Sequence, residues 1–215
     1  MRRFSRIAFV CVLAASALSA ATTGECKKSL GAKTLVPPCP VWVIGSYESL
    51  GAPNMMTASW VGICCSDPPS VTVSLTKSRH SYGNIVASKA FTVNIPSEAH
   101  ARETAFFGSV SGKDLDKLAA TGLTPVRSDL VNAPYLAEFP LVVECRLVKT
   151  VEIGSHTMFI GEIVDVKAEE SVLGERNAPD PAKLGAFLFY PGSGNFYSTG
   201  GAVGSIRDLQ AEIKR

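Results

Sequence analysis

A chain of 215 residues has room for one globular core with a decorated end, not for two full domains. Its 46% hydrophobic and 19% charged residues allow a sizeable soluble core and exclude a disordered chain. The net charge of +2, from 21 basic and 19 acidic residues, excludes the clustered basic excess of an extended nucleic-acid footprint, so no nucleic-acid partner is expected.

The first six residues carry Arg2, Arg3 and Arg6, residues 7–20 are a nearly unbroken apolar stretch, and Ser19-Ala20-Ala21 supplies small side chains at a cleavage point. This is the layout of a secretory signal peptide over residues 1–21, and the apolar run is too short for a stable membrane span. Export, or a periplasmic location, follows. The alternative is a start assigned too early and a cytoplasmic protein. Arg2-Arg3 also admits a twin-arginine route, although the residues after the pair match that signal poorly.

Residues 34–45 are extended and apolar, punctuated by Pro37, Pro38 and Pro40, which reads as an edge strand because proline cannot donate to a ladder. Residues 48–54 have turn composition and residues 55–63 return to strand-like side chains, so the two runs predict a hairpin that ends before Pro68-Pro69. Residues 71–75 alternate at period two, as a half-buried strand does. A short helix is predicted over 81–88 and a strand over 90–95, stopped by Pro96. Helices over 97–107 and 113–120, the second ended by Gly122, are expected outside the sheet. Residues 141–148 and 157–166 are the longest strand signals and read as one long hairpin turning at Gly154-Ser155. A loop over 177–181 precedes Phe187-Leu188-Phe189-Tyr190. Many strands, a few short helices and no alternating strand–helix rhythm predict a mainly β chain, an antiparallel barrel rather than a doubly wound sheet.

The six cysteines contain no C-x-x-C and have no histidine nearby, so no metal site is expected, and the adjacent Cys64-Cys65 read as small apolar thiols. There is no G-x-S-x-G elbow and no H-E-x-x-H. Gly192-Ser193-Gly194 lacks the third glycine and the helix of a dinucleotide fingerprint. The informative segment is Thr76-Lys77-Ser78-Arg79-His80-Ser81-Tyr82-Gly83-Asn84, which joins a strand end to a helix start. Helix-start N–H groups, the hydroxyls of Ser78 and Ser81, and a cation at Lys77 or Arg79 suit a phosphate. The same residues also suit a plain helix cap with solvated charges. Thr57-Ala58-Ser59-Trp60 forms a second polar and aromatic cluster, which by itself is an ordinary strand around a packed indole.

Taken together, these segments resemble the FMN-binding split barrel of the flavin-reductase-like family, closest to flavoredoxin-type members. The phrases that carry the resemblance run from Lys28-Ser29-Leu30-Gly31-Ala32-Lys33 through Pro53-Asn54-Met55-Met56-Thr57-Ala58-Ser59-Trp60 and Cys64-Cys65-Ser66-Asp67-Pro68-Pro69. They continue with Tyr82-Gly83-Asn84-Ile85, Phe91-Thr92-Val93-Asn94 and His156-Thr157-Met158-Phe159-Ile160-Gly161-Glu162. The resemblance implies an antiparallel Greek-key barrel over residues 34–170, after an N-terminal segment 22–33, and a homodimer. It leaves residues 171–215 as an extension packing on the barrel or the dimer interface, where Tyr190 and Tyr197 either cover the flavin or simply pack. In such proteins the segment matching Thr57, Ala58, Ser59 and Trp60 lies against the flavin ring and ribityl chain. The segment matching Thr76, Lys77, Ser78 and Ser81 holds the phosphate, with Tyr82 and Asn84 beside it, and His156 matches a histidine bordering the flavin and nicotinamide sites.

The implied activity is that of a flavin reductase, which takes hydride from NAD(P)H and passes electrons to flavin or another acceptor. The alternative is a flavoredoxin-like electron carrier with a redox protein partner. The resemblance implies a cytoplasmic protein without a leader, supplied with nicotinamide, whereas an exported copy would meet little NAD(P)H, so the export and reductase expectations pull against each other.

Overall fold

The computed structural model describes residues 27–213. Residues 27–33 carry no helix or strand, and the expected leader lies outside the described residues. The elements all belong to the unit that starts at Thr34.

Strands β1 (Cys39–Pro40) and β2 (Trp42–Tyr47) arise from the proline-punctuated run. The edge-strand expectation holds for β1, at the margin of a small sheet ordered β1-β11-β12, but not for β2, which is paired on both sides. The prolines stop at Pro40, so residues 42–47 keep every N–H for the ladders. Strand β3 (Pro53–Ala58) pairs antiparallel with β2 from Trp42↔Ala58 to Tyr47↔Pro53, across a turn in which Glu48 N–H donates to Ala52 O (2.9 Å).

The expected single strand over 55–63 breaks at Ser59-Trp60, and β4 (Val61–Ser66) runs instead beside β5 (Pro69–Thr76). Then follow α1 (His80–Ser88), β6 (Ala90–Ile95), a 3₁₀ turn at Glu98–His100 and α2 (Ala101–Ser109). Next come α3 (Lys117–Thr121), β7 (Pro125–Arg127) and β8 (Pro134–Leu136). The third predicted helix begins four residues late, because the Asp116 carboxylate caps it by accepting from Leu118 and Ala119 N–H. The long hairpin is present as β9 (Leu141–Ile153) and β10 (His156–Ala168), with Gly154 in the left-handed region (φ 52°) at its turn. After it come α4 (Pro181–Leu184), β11 (Phe187–Tyr190), β12 (Asn195–Ser198) and α5 (Ile206–Ile213).

The main sheet has the order β3-β2-β6-β9-β10-β5-β4, all neighbours antiparallel. Its two outermost strands, β3 and β4, are consecutive in the chain and joined by only Ser59 and Trp60. That connection reaches about 10 Å at most, so it draws the two edges of the sheet together into a split barrel.

Strands β2 and β3 are buried on both faces, and their alternation sends neighbouring residues into different cores. Ile44 and Met56 enter the barrel interior with Val73, Ile85, Phe91 and Phe159, while Val43 and Met55 face Phe107, Leu118, Leu136 and Phe139 beneath the helices. Gly161 on β10 is required by this packing. A Cβ there would collide with the Phe91 ring and come within 3.0 Å of Cys145 Cβ. Gly161→Ala is therefore expected to destabilise the protein by roughly 1–2 kcal/mol through overpacking, read as a lowered midpoint in urea at unchanged slope. No helix among the described residues is long and apolar enough to cross a membrane.

Candidate functional site

The seam between β3 and β4, the facing ends of β5 and β10, helix α2 and the β11–β12 hairpin enclose a cleft of about 650 Å³. Thr57, Ala58, Ser59 and Trp60 all line it, and Thr76 and His156, cross-strand partners on β5 and β10, join them. The Thr57 hydroxyl donates to the Thr104 carbonyl, which ties the seam to α2. Gly108 lets the helix approach, since a Cβ there would stand 3.3 Å from Thr57 Cβ. Trp60 remains 40% exposed, so its indole forms part of the rim rather than the core. His156 Nδ1 lies 2.9 Å from Ser155 Oγ.

A smaller cleft of about 220 Å³ adjoins the first and shares Met56, Thr76 and Arg79 with it. Ser78 and Ser81 line this one, with the N-terminal end of α1 and residues 110–112. No side chain caps that helix end, because its N-cap residue is Arg79. The first-turn N–H groups thus have no side-chain acceptor. The serines do not cap: Ser78 Oγ pairs with Thr76 Oγ1 (3.0 Å), and buried Ser81 Oγ accepts from Asn54 Nδ2 (2.8 Å).

Two cations face this smaller cleft. Arg79 sits at its junction with the larger one, and Lys117 is buried in its wall with only 4% of its surface exposed. Lys117 Nζ donates to the Phe107 carbonyl (3.3 Å) and lies 5.8 Å from the centre of the Phe107 ring. Burial, and next the guanidinium of Arg79, push the Lys117 ammonium down to about 8. Among the described residues neither cation has a carboxylate within ion-pair distance. An anion arriving between these like charges at an uncapped helix start would relieve both the repulsion and the desolvation.

Three expected residues are not gathered here. Lys77 points to the surface and pairs with Glu152 (2.9 Å), an exposed ion pair of little energetic weight. Tyr82 packs its ring edge-on against Phe159 (5.2 Å between centroids), and Asn84 is buried against Ser46 (3.3 Å). The strand geometry explains Lys77: along β5 and into the turn successive side chains alternate, so Thr76 and Ser78 share a side that Lys77 leaves. Sequence reasoning missed Lys117 altogether and left Arg79 as one of two cations. It also missed Thr104 and Ser109 on α2, and Phe189, Asn195 and Phe196 on the C-terminal hairpin. Lys117 has no local signal, because a lysine opening a short helix normally reads as solvated. Both tyrosines of the extension, Tyr190 and Tyr197, pack edge to face against each other (4.7 Å between centroids).

The comparisons agree with this architecture. Flavoredoxin of Desulfovibrio vulgaris (Miyazaki F) superposes with a TM-score of 0.81 at 45% sequence identity, covering 84% of this chain and 97% of that one. Flavoredoxin from Methanosarcina acetivorans does so with a TM-score of 0.80 at 27% identity, covering 87% and 100%. An uncharacterised protein of Archaeoglobus fulgidus is 36% identical over 114 residues, which is 53% of this chain and 64% of that relative's length. The flavin reductase like domain matches residues 37–193, which takes in the smaller cleft, the β11 strand and all of the larger cleft but Gly194, Asn195 and Phe196. The chain therefore belongs to the flavin reductase-like family, on the split-barrel fold that it shares with the flavoredoxins.

Proposed function

We propose that the chain binds FMN across the two clefts and works as an NAD(P)H-dependent flavin reductase. The observation that carries this reading is the junction itself. A cleft large enough for a tricyclic ring opens through Thr76 and Arg79 into a small one walled by a second cation, Lys117. Bound FMN would supply the redox chemistry. The chain's own residues would bind and orient it: Thr57 to Trp60 as one wall of the larger cleft, with the indole shielding the rim from water. Thr76, Ser78, Arg79 and Lys117 would hold the phosphate, the two cations neutralising its charge. The His156 ring would border the bound flavin at the cleft edge, held there by the hydrogen bond between its Nδ1 and the Ser155 hydroxyl.

The 45% identity to a flavoredoxin favours a second reading, an electron carrier fed by a redox protein. The two separate in an anaerobic cuvette. FMN-loaded protein is mixed with NADH or NADPH, and the reductase reading expects the 450 nm band to bleach within seconds. A band unchanged with both nucleotides overturns that reading and leaves the carrier. We further propose a homodimer, supported by the exposed surface of β4, where Ile63 is 79% exposed, and testable by light scattering on the eluting peak. Residues 1–21 are proposed to be an export leader, so the intact mass of the native protein should lack them.

A further inference from the structure

Helix α5 has the side chains of a packed helix in an exposed place. Ser205 caps it: the hydroxyl accepts from Asp208 N–H (3.1 Å) and donates to the Asp208 carboxylate (2.6 Å). Ile206, Leu209 and Ile213, three and then four positions apart, form one apolar stripe along it. Yet Ile206 is 87% exposed and Ile213 88%. Eight residues are too few for a helix to hold itself in water, so the stripe needs a cover.

A matching gap lies in the second half of β4, where residues 63–66 are all exposed. Ile63 pairs with Val71, so the two side chains stand on the same, inner face of the sheet. Val71 is buried in the barrel core, but Ile63 is bare. The barrel is therefore open at this corner, and the chemistry missing from it is aliphatic. Cys64 and Cys65 extend the surface as small apolar thiols, Cys64 being the extra residue of a bulge between the pairs Ile63↔Val71 and Cys65↔Ser70.

We propose that α5 of one copy seats its stripe over Ile63, Cys64 and Cys65 of a second copy, so that two exchanged C-terminal arms close the homodimer. The proposal rests on the homodimer reading above and names the segments that meet. Both surfaces belong to one chain and leave each other uncovered within it, which suits a two-fold contact in which each is used twice. The tether permits the crossing: residues 199–205 are all exposed, include Gly200, Gly201 and Gly204, and reach up to about 23 Å. Opposite charges flank the two surfaces, Arg207 beside the stripe and Asp67 beyond the thiols. The tether leaves from β12, whose Asn195 and Phe196 wall the larger cleft, so a seated arm also fastens that wall.

The test reads which chain the arm touches. Full-length Gln210→Cys, a substitution that borders the stripe and leaves it intact, is oxidised with glutathione disulfide and run on a non-reducing gel. The thiol placed at position 210 and a thiol of Cys64 or Cys65 then join as a disulfide, the reagent leaving as two reduced glutathiones. Expected is at least about 5-fold more covalent dimer than in wild type, because the seated arm holds the thiols at high effective concentration. Adding Cys64→Ser and Cys65→Ser should return it to the wild-type level. In a second variant, Ile206→Asp with Ile213→Asp changes only exposed side chains and should raise the dimer dissociation constant roughly 10-fold or more, read by light scattering over a dilution series. A dimer that lacks the crosslink, or that the aspartates leave as tight as before, overturns the inference and leaves the homodimer reading standing. So does a crosslink within one chain, seen as two thiols lost at monomer mass. A wild type that elutes as a monomer takes down the homodimer reading and the inference with it.

Discussion

Lys117→Met is expected to weaken FMN binding roughly 100-fold at pH 7, a loss of about 2–3 kcal/mol from one charge-assisted contact in a dry wall. The folded apoprotein carries the cost of keeping this ammonium buried beside Arg79, which is why its proton is held only up to about pH 8. An FMN phosphate favours the charged form, so affinity in the wild type should be flat below that pH and fall as pH rises through it. Methionine removes both the affinity and that alkaline limb, whereas a lysine with no ligand role would leave the pH profile unchanged.

Stability moves the opposite way. The folded value lies below the unfolded one, so between pH 8 and the ordinary lysine range the unfolded chain holds more protons, and apoprotein stability rises with pH across that window. Below it the burial cost is fully present. Lys117→Met removes the cost, and the apoprotein variant should therefore melt higher than wild type at pH 7 while binding less flavin. A variant that loses both flavin and melting temperature would mean that Lys117 is structural.

Arg79→Ala and Lys77→Ala should part company. Both are exposed cations on the same turn, and local sequence treats them alike. Arg79 stands at the junction of the two clefts, while Lys77 spends its charge on Glu152 at the surface. Arg79→Ala is expected to cost about 1.5–3 kcal/mol of FMN affinity, some 10- to 100-fold, with little change for riboflavin, which has no phosphate. Lys77→Ala should leave both affinities within about 2-fold, since an exposed pair contributes under about 1 kcal/mol. Equal losses in the two variants, or an equal loss for riboflavin, would remove the phosphate from this end of the cleft.

The contrast between these neighbours marks how far the sequence could be read. Period-two runs and glycine turns were legible because they are local: the β9–β10 hairpin and its Gly154 turn follow directly from side-chain alternation. Residues of the phrase from Thr57 to Trp60 and of the turn from Thr76 to Ser81 come together in the fold at two adjoining clefts. What the sequence could not express was direction and distance. Whether residue 77 or 79 faces the cleft depends on how the strand end twists into α1. Lys117 reaches the same cleft from a helix that lies 38 positions further along. The strand over 55–63 was misread for a related reason: a continuous apolar run does not reveal that it leaves one edge of a sheet and enters the other.

That crossing has a consequence for how the protein breathes. Ser59 and Trp60 are at once the stitch that closes the barrel and a wall of the larger cleft. Opening the seam and emptying the cleft are then one event, and a bound ligand raises the free energy of that local opening by mass action. Amide exchange should report it. The N–H of Ser74, which donates to the Trp60 carbonyl (2.9 Å), should exchange more slowly as ligand concentration rises, while amides in the middle of β9 keep their pace.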